Sequence, residues 1–344
     1  MKQTQNKSKA VRVLAGDIGG TKTRLAIIDV SANQLQIQYS KTYQSRKYAS
    51  LNAVLQEFLN TFSDKVSADK VLAACFGIAG PVSNNTVHTT NLPWKIDAKE
   101  LAKQFSIDSV SLINDLEANA WGIQALPKED IFELYAGDSN STGNAAIIAA
   151  GTGLGEAGMY FDGKHYRPYA TEGGHTGFSP NSELEIELLR FLKKEYQHVS
   201  WERILAGSGL VNIHRFLREK HQIATPEWLA NAMQKGDAAA EISKAAETDK
   251  DSICTQALKL FVRLYGSEAG NLALKHMATG GIYIGGGIAP KILEWMKHGD
   301  FINSFLDKGR MRTLLEKIPV RLILNDQTAL YGPAVYAATF HIKH

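Results

Sequence analysis

The sequence predicts an α/β protein of two lobes, each built on a mixed β-sheet with helices packed against it. Three observations carry that expectation. Short apolar, β-branched segments alternate with amphipathic ones in the order strand-strand-strand-helix-strand-helix-strand-helix. A strand, glycine turn, strand unit occurs twice. The 344 residues are enough for two separate cores.

The elements follow in order. "VRVLA" and "TRLAIIDV" flank the glycine cluster "GDIGGTKT", residues 16–23, and read as the two strands of a hairpin. Gly16, Lys22 and Thr23 fit the P-loop pattern, but Thr21 replaces its second glycine. A strand also follows where a P-loop opens a helix, so the cluster is a hairpin turn. "LQIQYSKTYQ" predicts a third strand, "SLNAVLQEFLNTF" a helix, and "KVLAACFGIAG" a buried strand closed by Gly80-Pro81. The helix "DAKELAKQF", the strand "SVSLIND" and the helix "LEANAWGIQAL" complete the first lobe.

"NAAIIAAGTGLGEAGMYFDG" then repeats the opening. Setting Gly151, Gly153 and Gly155 against Asp17, Gly19 and Thr21 gives an offset of 134 residues (151−17, 153−19, 155−21), as expected of an internal duplication. Helical material ("SELEIELLRFLKKEYQ", "SWERILAGSGLVNIHRFLREK", then residues 225–278) interrupts the second lobe. It resumes with "GGIYIGGG", a helix over "APKILEWMKH", the strand "PVRLILN" and the terminal helix "DQTALYGPAVYAATF". The expected domains are therefore 1–123, completed by a C-terminal helix at 327–344, and 124–326 with its helical insertion.

Composition narrows the function classes. A formal net charge of +3, with 21% charged residues scattered along the chain, argues against a nucleic-acid or membrane-surface protein. The polar N-terminus "MKQTQNKSKA" lacks the apolar core of a signal peptide and is expected to be a disordered tail. Cys75 and Cys254 lie far apart in apolar contexts, too few for a disulfide framework, and point to a reducing cytoplasm.

The glycine turns carry the first chemistry. Gly153-x-Gly155-x-x-Gly158 matches a dinucleotide fingerprint in form, but a strand follows it rather than a helix. A single such turn is readily an empty hairpin. Two matched turns can bring backbone N–H groups together around a polyphosphate. Asp17 would repel phosphate, so its use there is to position Mg²⁺, directly or through water. In "IYIGGGIAP", Gly285, Gly286 and Gly287 form either a plain strand-to-helix turn or a bare surface for a flat ring and ribose. Asn114 and Glu117 make a capping box at the end of a strand, with Asp115 in the first helical turn. That strand end is also where open α/β sheets bind ligands. Glu172 and His175 flank a Gly-Gly turn, too few ligands for a metal, and Glu202 follows Ser200 at an expected helix start.

Together these residues resemble the bacterial glucokinase family, within the sugar kinase, Hsp70 and actin superfamily. "GDIGGT" (Gly16, Asp17, Ile18, Gly19, Gly20, Thr21) is similar to its first phosphate motif, "GTGLG" (Gly151, Thr152, Gly153 onward) to its second, and "IGGGIAP" to its adenosine motif. "FGIAGPV", "TNLPW", "LINDLEA", "EGGH" and "ERILAGSGLVNI" match family segments in order, from about Val11 to the terminal helix.

The resemblance implies a two-lobed hexokinase/actin-like (ribonuclease H-like) fold with an interdomain cleft, and an ATP-dependent glucokinase. It implies that Asn114, Asp115, Glu172, His175 and Glu202 hydrogen-bond glucose hydroxyls. Asp115 would be the general base, and the glycine hairpins would hold Mg-ATP. Phosphoryl transfer suits such a site, since it needs positioning and charge neutralisation more than covalent help. Lys22 departs from the asparagine of many members and is similar to the "GGTK" of the ROK group. The cysteine-rich zinc motif of that group is missing after His175, and its repressors' DNA-binding helix pair has no room before Val11. Two alternatives stand beside glucokinase: a kinase of mannose or an N-acetylhexosamine, and a non-catalytic sugar sensor or actin-like protein. The helical insertion offers a homodimer surface.

Overall fold

A computed structural model describes residues 10–31, 34–63, 71–89, 92–138, 140–248 and 250–341. The expected N-terminal tail and the first two residues of "TNLPW" lie outside them. The chain forms two compact units, one of residues 1–128 with 325–344 and one of 129–324.

The first unit opens with β1 (Val11–Ile18), β2 (Lys22–Ser31) and β3 (Gln34–Gln44). Then come α1 (Leu51–Ser63), β4 (Ala73–Ile78), the short pair β5 (Thr86–His88) and β6 (Lys95–Asp97), α2 (Ala98–Phe105), β7 (Ser109–Asn114) and α3 (Asp115–Ile123). The sheet order is β3-β2-β1-β4-β7, antiparallel across its first three strands and parallel from β1 onward.

Strand alternation divides the apolar residues between two faces. Leu14, Leu25, Ile27 and Phe76 pack with Val54 and Phe58 of α1 and Leu101 of α2. Val13, Ala26, Ile28 and Cys75 pack with Trp121 of α3 and with Leu330, Ala334 and Ala337 of the C-terminal helix, Thr328–His341. That helix lies against α3 at Gly332, where a Cβ atom would sit 1.6 Å from the Ala118 carbonyl oxygen. Only a residue without a side chain permits the approach.

The second unit contains β8 (Ile131–Tyr135), β9 (Ala145–Ala150), β10 (Leu154–Phe161) and β11 (Tyr166–Ala170). The helical insertion follows as α4 (Glu183–Leu192), α5 (Gly207–His221), α6 (Glu227–Lys235), α7 (Ala238–Glu247) and the long α8 (Ser252–His276). Last come β12 (Gly281–Gly285), α9 (Leu293–Lys297), α10 (Asp300–Leu306), α11 (Arg312–Leu315) and β13 (Val320–Ile323). Asp251 caps α8 by accepting from the Ile253 and Cys254 N–H groups, and Met277 ends it in the left-handed conformation.

The sheet order β11-β10-β9-β12-β13-β8 repeats that of the first unit and adds one antiparallel edge strand, β8. The duplication is therefore present, with a corrected register. The strand ends Ile18 and Ala150, and the strand starts Lys22 and Leu154, are related by 132 residues (150−18, 154−22). Gly19 thus matches Gly151, and Thr21 matches Gly153. The expected helix over "APKILEWMKH" is a 3-10 turn at Ala289–Ile292, with Pro290 in its first positions, running into the short α9. Among the described residues, no helix is long and apolar enough to cross a membrane.

Candidate active site

In the first unit the glycine turn joins β1 to β2. The Gly19 N–H donates to the Lys22 carbonyl at 3.0 Å, and Ser45 Oγ donates to the Gly19 carbonyl at 2.7 Å. Thr23 and Ser45 hydroxyls meet at 3.0 Å, so the turn is tied to the end of β3. A small open recess lies beside it, lined by Ile18, Gly19, Gly20, Ala79, Thr89 and Leu92.

Asp17, near the end of β1, is 27% exposed at its side chain and pairs with Arg24 directly across the hairpin. Arg24 donates to Asp17 Oδ2 from Nε at 3.2 Å and Nη2 at 3.1 Å, and Nη2 also donates to the Asp326 carbonyl at 2.9 Å. Burial raises the Asp17 pKa and Arg24 opposes the rise. No group of three or more His, Cys, Asp or Glu side chains among the described residues could hold a metal by itself. A lone carboxylate of this kind fits Mg²⁺ that brings phosphate and water ligands with it.

At the same end of this sheet, level with Ile18 across β4, Asn114 closes β7 and caps α3. Its Oδ1 accepts from the Leu116 N–H at 2.9 Å and the Glu117 N–H at 3.3 Å. The Glu117 carboxylate accepts in return from the Asn114 backbone, completing the capping box. Asp115 Oδ1 shares the Leu116 N–H at 2.9 Å. Capping thus fixes Asp115 at the carboxyl end of a parallel strand. Asn114 Nδ2 reaches the Gly80 carbonyl at 3.4 Å, which joins this strand end to the turn after β4.

In the second unit Glu172, His175 and Glu202 gather on adjoining 3-10 turns, Gly173–His175 and Trp201–Arg203. His175 Nδ1 lies 3.8 Å from Glu172 Oε2, and Nε2 lies 3.9 Å from Glu202 Oε1. These separations are too long for hydrogen bonds. The side chains of Glu172 and His175 are 60% and 64% exposed. Glu202 follows Ser200 in a helix start, but the helix is a single 3-10 turn, Trp201–Arg203, before α5. Its Oε2 instead accepts from the Leu154 N–H at 3.0 Å, and a Cβ at Gly153 would lie 2.5 Å from that oxygen. The second glycine turn and the sugar-type cluster therefore share an atom contact that the sequence did not reveal.

That turn is further held by Tyr265 of α8, a fully buried side chain. Its hydroxyl accepts from the Ala150 N–H at 3.2 Å and lies 3.4 Å from the Ile148 and Gly285 carbonyls. It ties the ends of β9 and β12 together. Gly286 has φ +81°, and a Cβ there would meet the Ala150 carbonyl oxygen at 2.2 Å. At Gly151 and Gly287 a Cβ would meet nothing within 4 Å, so these two glycines present bare backbone with open space in front. Arg24, Ser45, Tyr265 and Glu156 were not singled out by the sequence. Each acts through a partner distant in the chain.

The family model described as Glucokinase matches residues 14–340. The chain is 46% identical over 340 residues to the glucokinase of Trichormus variabilis, covering 95% of this chain and 98% of that one. It is similar to a crystal structure of glucokinase from an Antarctic psychrotroph, with TM-score 0.83, 31% identity and coverage of 95% and 99%. A ROK family glucokinase from Streptomyces griseus, in complex with glucose and AMPPNP, shares the fold at TM-score 0.62 and 21% identity, with coverage of 95% and 99%.

Proposed function

The chain belongs to the glucokinase family, and on that premise we propose that it transfers the γ-phosphoryl group of ATP to the 6-hydroxyl of D-glucose, giving glucose 6-phosphate. The observation that carries the sugar assignment is the cluster of Glu172, His175 and Glu202, whose side chains approach one another without hydrogen bonding. A polyol losing its water must pair each buried hydroxyl. Carboxylates accept from such hydroxyls, an imidazole can do either, and the Asn114 amide adds a donor.

Asp115 is the general base. It takes the proton from O6 as O6 bonds to the γ-phosphorus and the bond to the bridging oxygen breaks, ADP leaving with that electron pair. Capping of α3 fixes the carboxylate, which meets the positional demand of general-base catalysis. Backbone of Gly16, Asp17, Ile18, Gly19, Gly20 and Thr21 and of Gly151, Thr152 and Gly153 holds the phosphates, and Gly285, Gly286 and Gly287 lie against the adenosine. Asp17 would hold Mg²⁺, which supplies charge neutralisation on the transferring group.

The test is ADP release from Mg-ATP in the presence of glucose, mannose, fructose or N-acetylglucosamine. Turnover centred on glucose is expected; turnover on another sugar alone would overturn the substrate. The two free, buried thiols, Cys75 and Cys254, suit the reducing cytoplasm in which we place the enzyme. A homodimer is placed on the helical insertion, where Ile223 and Trp228 expose large apolar side chains. Light scattering that gives one chain's mass would contradict it.

A further inference from the structure

Beneath the turn that carries Glu172 and His175 lies a carboxylate pair to which the phosphoryl-transfer chemistry gives no part. Glu156 of β10 and Glu268 of α8 are 1% and 0% exposed. They are close enough for each charge to oppose the other's ionisation, and two carboxyls buried together in this way are accommodated when one of them keeps its proton.

The two partners are unequally served. Glu268 accepts from Asn271 Nδ2 at 2.8 Å and from Lys275 Nζ at 2.9 Å, the environment of an anion. Glu156 Oε1 is buried without a hydrogen-bond partner among the described residues. The proton therefore belongs on Glu156. Burial and the Glu268 charge push its pKa up to about 8.

Glu156 is also the seat of the turn. A Cβ at Gly173 would fall 1.9 Å from Glu156 Oε2, so the bare Gly173 backbone rests directly on this carboxyl. Thr171 Oγ1 donates to the Glu156 carbonyl at 2.8 Å, and the Gly173 N–H donates to Thr171 Oγ1 at 3.3 Å. One residue thus fixes the entry to the turn by backbone and side chain together.

We propose that Glu156, sharing a proton with Glu268, is a positioning residue for the sugar-binding turn, and that loss of this proton at alkaline pH displaces Glu172 and His175 and weakens glucose binding. The proposal rests on the glucokinase reading for its ligand. Among the described residues, the titratable groups that act on Glu156 are on α8. Glu268 opposes its ionisation, Lys275 favours it but is already bonded to Glu268, and the Tyr265 phenol is held neutral by burial. Lys308, hydrogen-bonded to Ser267 at 3.3 Å, faces Glu268 and has Asp307 and Glu185 about it. Ionised Glu156 would thus place a second anion against Glu268 under a turn that cannot move toward water without leaving its seat.

The experiment is the KM for glucose from pH 6.5 to 9.5 in the wild-type enzyme and in Glu156→Gln, whose amide keeps the shape and donates to Glu268 at every pH. The wild-type KM is expected to rise about tenfold across the alkaline limb with kcat changing less than threefold. In Glu156→Gln that rise disappears, while KM at pH 7 stays within threefold of wild type. Lys275→Met, which removes the cation easing ionisation, moves the midpoint to higher pH. Infrared spectroscopy gives a readout independent of turnover. A protonated-carboxyl band present at pH 7 should be missing from Glu156→Gln and should fade in wild type above pH 9. A flat wild-type profile, the same alkaline rise in Glu156→Gln, or no such band would overturn the proposal. Absence of glucose turnover at pH 7 would instead sink the kinase reading, leaving the infrared result to decide the shared proton.

Discussion

The Tyr265 hydroxyl does for the second glycine turn what Ser45 does for the first: each takes up a backbone group that the turn leaves without a ladder partner. Tyr265→Phe would keep the packing but strand the buried Ala150 N–H. A loss of about 1–3 kcal/mol in unfolding free energy is expected, with a raised KM for ATP because β9 and β12 carry the bare glycines. Denaturant unfolding and ATP kinetics on the same variant check both halves. Glu156 makes a second residue-scale prediction, and its sign follows from linkage. Its folded pKa is raised above the unfolded carboxyl value, so the native state holds the extra proton between the two. The contribution is most favourable below the unfolded pKa and is lost as pH rises toward about 8. Wild-type stability should therefore fall across that interval by on the order of a few kcal/mol more than that of Glu156→Gln. Parallel profiles for the two proteins would contradict it.

At the level of elements, the sequence was most informative where local pattern decides structure. The two hairpins, the capping box at Asn114 and the buried strands follow from alternation and turn chemistry, which act over a few residues. The duplication was visible but two residues out of register, because flanking apolar runs align almost as well at an offset of 134 as at the 132 set by the strand ends. The turn position is kept in both units, with glycine at Gly19 and Gly151 but Thr21 where the second turn has Gly153. The helix start after Ser200 is real but short: Glu202 sits in the single 3-10 turn Trp201–Arg203, Ser200 makes no side-chain capping hydrogen bond, and the α-helix begins only at Gly207. Glu156 was illegible for a deeper reason. A glutamate within an alternating strand reads as a solvent-facing residue, and its partner Glu268 is supplied by a helix 112 residues later (268−156). The approach of the C-terminal helix to α3 has the same character. Gly332→Ala, whose Cβ would overlap the Ala118 carbonyl, should destabilise the first unit by about 1–3 kcal/mol or more. A melting temperature unchanged from wild type would refute that packing account.

On the scale of the whole molecule, the same strand order occurs in both units, and each repeat presents its glycine hairpin at the same place in its sheet. Each unit also carries its own polar residues: Asn114 and Asp115 where β7 meets α3 in the first, and Glu172, His175 and Glu202 at 3-10 turns of the second, where Glu202 accepts from the Leu154 N–H beside the glycine turn. Folding each unit around its own core fixes that unit's own polar group, and under the proposed function these groups take the nucleotide and the sugar. The division of labour predicts that variants in the second-unit cluster affect KM for glucose, whereas removal of the base affects kcat. The most direct test is the kcat of Asp115→Asn with glucose and Mg-ATP, measured beside its melting temperature and glucose affinity. The expected result is a fall of about 10²–10⁴-fold in kcat with the fold and glucose binding retained. Turnover equal to the wild type would remove Asp115 from the mechanism and contradict the account.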